Sequence, residues 1–82
     1  MPGRLKVLSG AEVVRVFEGL GFQVVRQSGS HVKLRRVGPS GRQETLHVPL
    51  HAQLKRGTLR AIVRQASEFV SIDELRPHFF GD

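Results

Sequence analysis

Apolar residues first fall into a helical rhythm: Val13, Val16, Phe17 and Leu20 stand at i, i+3, i+4 and i+7, one stripe of a helix. Ser9-Gly10-Ala11-Glu12 ahead of them has the Ser-x-x-Glu spacing in which each side chain caps the other's backbone N–H, which marks the helix start. Gly19 weakens the last turn and Gly21 ends it. From Phe22 the period drops to two. Phe22–Ser28 is rich in β-forming residues, Gly29 and Ser30 interrupt it, and His31–Val37 resumes with Val32 and Leu34 alternating against His31, Lys33 and Arg35. So short an interruption predicts a hairpin. Gly38-Pro39-Ser40-Gly41 is a second turn, after which Arg42–Val48 sets Leu46 and Val48 on one face and Thr45 and His47 on the other, a third strand closed by Pro49. Leu59, Ile62, Val63 and Ala66 then return to helical spacing in a helix beginning near Gly57-Thr58. Ser71-Ile72-Asp73-Glu74 repeats the capping spacing and predicts a short acidic terminal helix with Pro77 as its stop.

The expected fold class is therefore α+β, in the order α-β-β-β-α plus a tail, with two helices on one face of a three-stranded antiparallel sheet. Val32, Leu34, Leu46 and Val48 form the floor under the helices. The other face stays open, and the period of two puts His31, Lys33, Arg35, Thr45 and His47 on it. Phe17, Phe22 and Phe69 read as core, whereas Phe79-Phe80 reads as an exposed apolar pair unless it docks, for instance on a partner subunit.

Length leaves room for one small domain, residues 1–82, with its core at 8–67 and an acidic tail at 68–82. The chain has no Cys, which excludes disulfides and thiolate zinc sites and suits a reducing cytoplasm. No apolar run approaches the ~20 residues that span a bilayer. Charge changes the picture more. Residues 26–64 hold nine cations, Arg26, Lys33, Arg35, Arg36, Arg42, Lys55, Arg56, Arg60 and Arg64, against Glu44 alone, while residues 65–82 are net acidic. Seven of the nine are Arg, whose planar fork matches phosphate oxygens, so nucleic acid is favoured over a membrane surface. A merely solvated basic face explains the charge excess equally well.

The residues carrying chemistry also resemble a known family. Gly21-Phe22 after the first helix, Gly29-Ser30-His31 opening the second strand, Val48-Pro49 with His51, and Leu54-Lys55 followed by Gly57-Thr58-Leu59-Arg60 and Ile62 are similar to the HicA mRNA-interferase toxins, over residues 8–67. The resemblance implies a double-stranded-RNA-binding-domain-like fold and an endoribonuclease whose catalytic residue is His31. It also implies a HicB-type antitoxin that binds the toxin and covers that histidine. The Gly38–Arg42 turn looks long for the family, and residues 68–82 lie outside its motifs.

Such a reaction asks little of the protein, because RNA carries its own nucleophile in the 2′-hydroxyl beside the scissile phosphate. An imidazole, titrating near ~6.5, moves the proton. Lys33, on the same strand face as His31, is expected to stabilise the phosphorane, and Arg35 to hold a phosphate further along. Ser30 offers a hydroxyl to a phosphate oxygen. Arg60 and Arg64 are further candidates for phosphate contact. His47 is either a second acid or base or, more simply, a cross-strand neighbour, and His51 either binds phosphate or packs on the second helix. Pro49 forbids the helix that would align His47 and His51 as metal ligands, so no metal or other cofactor is expected. The competing reading from a different class is a non-catalytic RNA-binding module using the same basic face, with His31 a plain contact.

Overall fold

A computed structural model describes residues 3–81. Its elements run β1 (Arg4–Leu5), α1 (Gly10–Gly19), β2 (Gln23–Ser28), β3 (His31–Val37), β4 (Gln43–Pro49), α2 (Arg56–Ala66), α3 (Ile72–Phe79) and β5 (Phe80–Gly81). The fold is α+β: β2-β3-β4 form an antiparallel sheet, and β1 and β5 a separate antiparallel pair.

Helix α1 begins where the capping box places it. The Ser9 hydroxyl accepts from the Glu12 N–H at 3.1 Å, and the Glu12 carboxylate accepts from the Ser9 N–H at 2.9 Å. Donation from the Ser9 backbone N–H, then from the Ser9 hydroxyl, with the attraction of Arg15, holds the Glu12 carboxyl below its ordinary value, so what the carboxylate adds to the cap is present above the ordinary value and lost as pH falls through the lowered one. Gly10 meets the end of β4 so closely that a Cβ there would overlap the Pro49 carbonyl, and its N–H donates to the His51 carbonyl at 2.9 Å. Chain direction at the end of β4 is thus tied to the start of α1.

Helices α1 and α2 bury Val13, Phe17, Leu59, Ile62, Val63 and Ala66 against Val32, Leu34, Leu46 and Val48, all on one side of the sheet. Two expectations are corrected here. The Phe79-Phe80 pair is not exposed: Phe79 has no solvent contact, Phe80 is half-buried, and Val70 and Leu75 join the same core. Nor does Pro77 stop the last helix. It sits inside α3, and the carbonyl its missing N–H leaves free belongs to Asp73, an exposed residue that water can satisfy. The segment after α2 is held by β1 and its flank, where the Lys6 N–H donates to the Phe79 carbonyl at 2.8 Å and Lys6 Nζ to the Pro77 carbonyl at 3.0 Å.

Arg36, one of the nine central cations, points to the helix side. Its Nε meets Glu44 Oε1 at 2.5 Å, its Nη1 and Nη2 donate to the carbonyls of Leu20 (2.8 Å) and Phe69 (3.1 Å), and its guanidinium lies 4.7 Å above the Phe22 ring. This charge serves the ends of α1 and α2, not a ligand. Glu44→Ala is expected to cost about 3 kcal/mol, the lower part of the range for stripping one partner from a buried pair, because the Arg36 side chain is still 19% exposed. Urea unfolding measures it, and a loss below ~0.5 kcal/mol would show the pair to behave like a surface one.

Candidate active site

The site is built on the hairpin between β2 and β3. Ser28 and His31 close it as partners, with Gly29 and Ser30 as the loop. Gly29 has φ +59° and Ser30 a negative φ, the sign pattern of a type II′ turn, which favours glycine first and matches the strand twist. The Leu50 N–H donates to the Ser30 carbonyl, extending the β3–β4 ladder one step beyond Pro49. His31 therefore opens β3 from a turn braced on both sides, and its side chain is exposed.

Register lays out the open face in rows. His31 lies between Ser28 and Pro49, Lys33 between Arg26 and His47, and Arg35 between Gln23 and Thr45. Arg26, Ser28, His31, Lys33 and His47 line one shallow depression of about 240 Å³. The structure thus brings together His31, Lys33 and His47 as expected and adds Arg26 and Ser28. Arg26 was hidden by a bulge. With plain alternation from Val24, which faces Leu34, Arg26 would share the covered side; the extra residue at Val25 turns it onto the row of Lys33.

The other expected residues are spread out. Ser30 is in the turn itself and exposed, outside the depression. His51 is exposed on the loop beyond β4 and engages α1 through its carbonyl, not its ring. Arg60 and Arg64 are exposed on α2, a helix packed against the opposite side of the sheet, so they belong to a different surface from the His31 ring.

Residues 10–67 match the family model of the HicA toxin of bacterial toxin-antitoxin systems. The chain belongs to the HicA toxin family. That match covers every residue of the His31 depression and ends at Ser67, so Leu75 and Phe79, which complete the core in this HicA chain, lie beyond it. No curated protein and no solved structure matches the chain significantly. Membership makes the protein the toxin half of a system whose other half is an antitoxin. No helix among the described residues is long and apolar enough to cross a membrane.

Chemically, the depression offers an imidazole beside two cations and a second imidazole. A phosphodiester seated there would meet positive charge from Arg26 and Lys33 and a proton carrier in His31, the components that 2′-hydroxyl attack on phosphorus needs. The row of Lys33 lies one strand repeat from His31 on the same face.

Proposed function

We propose that this toxin is a metal-independent endoribonuclease that cuts single-stranded RNA such as mRNA. In this reading His31 is the general acid/base, Lys33 and Arg26 neutralise the phosphorane, and Arg35 and His47 bind substrate beside them. The observation that carries it is the exposed imidazole at a glycine turn, set among cations on a sheet face that no helix covers. Its substrate-binding set extends to Ser30 and His51 near the turn. Arg60 and Arg64, on the far surface, contribute long-range attraction rather than contact at the scissile phosphate. The antitoxin is of HicB type and acts by covering the His31 depression. The protein works in the cytoplasm, where its substrate is.

The reaction requires the 2′-hydroxyl and no metal, which sets the test. Incubated with RNA in EDTA, the protein is expected to cut the strand, and RNA carrying 2′-O-methyl at every position is expected to resist because the attacking oxygen is blocked. Cutting of the methylated strand at the normal rate would make water the nucleophile and overturn the mechanism. Retention of RNA at low salt without any cutting would instead identify a non-catalytic RNA-binding module.

A further inference from the structure

Four residues along β3 from His31, at the other end of the open face, lies a second depression of about 320 Å³ lined by Gly21, Gln23, Val25, Arg35, Arg36 and Val37. Its make-up differs from that of the His31 depression. Arg35 and Gln23 face one another across the β2–β3 ladder, and two valines flank them, Val25 at 45% exposure and Val37 at 69%. Val25 is the bulge residue, the one position of β2 without a partner of its own on β3. The same irregularity that turns Arg26 toward Lys33 therefore supplies an apolar wall at Arg35.

A second observation lies within the Arg35 side chain. Its Nε is buried from solvent and no acceptor meets it. A buried N–H with no partner is unfavourable, and an incoming acceptor that lets the guanidinium turn to meet it removes that penalty. Arg36 next to it has every such need met by Glu44, Leu20 and Phe69, so the unmet donor is specific to the side chain on the open face.

We propose that this depression is a base-recognition subsite that takes a purine, guanine foremost, from the RNA strand whose phosphate is cut at His31. The inference rests on the open face being the RNA surface. A phosphate is only an acceptor and gains nothing from two valines, whereas a base has apolar faces for Val25 and Val37 and a polar edge for Arg35 and Gln23. Guanine presents the N7 and O6 acceptors that an Arg fork meets in pairs. Distance agrees as well. At about 3.3 Å per residue, the four steps from His31 to Arg35 span roughly 13 Å, near two nucleotide steps of an extended single strand, with the Lys33 row between them for the intervening phosphate.

The test reads base preference, not overall rate. Ends of fragments cut from a random-sequence RNA pool are expected to show guanine enriched about tenfold at one fixed position near two nucleotides from the cut, the discrimination one bidentate pair supplies. Arg35→Lys keeps the charge but loses the fork, and is expected to reduce that enrichment below about twofold, with Gln23→Ala reducing it in part. An enrichment that survives Arg35→Lys while cutting slows alike at every sequence would make Arg35 a phosphate contact and overturn the subsite, as would the absence of any preferred position in the parent. A binding arm separates this inference from the nuclease reading. Fluorescence anisotropy of the parent with short oligonucleotides differing only by guanine or uracil is expected to show the same preference, again lost in Arg35→Lys. A preference seen in binding with no cutting at all keeps the subsite and removes the nuclease, and equal binding of both oligonucleotides overturns the subsite.

Discussion

His31→Ala is expected to slow RNA cleavage by about 10²–10⁴-fold, the usual contribution of a positioned general acid or base, while RNA binding and folding stability stay close to those of the parent. The separation is possible because of where the ring sits. His31 is exposed at the first residue of β3, its backbone is held by Ser28 and Pro49, and its side chain contributes nothing to the packing between sheet and helices. Truncation at such a site changes stability by no more than about 0.5 kcal/mol, so a thermal melt serves as the control. Phosphate attraction from Arg26, Lys33 and His47 remains, and binding with it. Single-turnover cleavage in EDTA alongside a gel-shift titration measures both halves. A variant that still cuts within about threefold of the parent would remove His31 from the chemistry, and one that loses binding in proportion to cutting would make it a plain contact.

The largest effect on stability is expected from Phe17→Ala, a loss of about 3–5 kcal/mol out of the roughly 5–15 kcal/mol that holds a domain of this kind together. Phe17 has no solvent contact, and its ring lies 5.8 Å from that of Phe22 and 5.6 Å from that of Phe79, centre to centre. One side chain thus joins α1 to the start of β2 and to the end of α3. Removing it leaves a cavity that three separate segments would have to close together, which a rigid sheet resists. Urea denaturation gives the magnitude. Amide exchange is expected to speed up first in residues 72–79, because α3 has eight residues and depends on Leu75 and Phe79 for its place. A loss under 1 kcal/mol would mean that the aromatic cluster is not the centre of the core.

The elements that carry their own periodicity could be read before any coordinates. β3 occupies the very residues its alternation marks, 31–37, and α1 starts at the cap its Ser9 and Glu12 spell out. Where two local rules met, reading failed. Pro77 reads as a stop, yet Leu75 and Phe79 stand four apart on one face of the helix, and their burial outweighs one missing N–H. Arg36 is one of the nine central cations, yet it shares the parity of Val32 and Leu34, and Glu44 shares that of Leu46 and Val48, so the alternation itself contains the buried ion pair. Other features left no trace in the pattern. A single-residue bulge at Val25 has no hydrophobic signature, so the place of Arg26 had to come from the register, and a two-residue pairing such as β1 with β5 is too short for any period to reveal. The candidate site was legible as a list of side chains, but the way they divide into a row around His31 and a separate set around Arg35 follows only from strand pairing.

The pairing of Arg4 with Gly81 and Leu5 with Phe80 sets these two pairs of residues side by side although more than seventy positions separate them along the sequence. A short bridge joining Arg4 to Gly81 directly would have little span to cover, and its loop-closure entropy is small. Fresh termini opened at the exposed Ser40-Gly41 tip would then leave every strand neighbour in place while reversing which half of the molecule leaves the ribosome first. The succession of elements along the backbone is in that sense separable from the architecture they build.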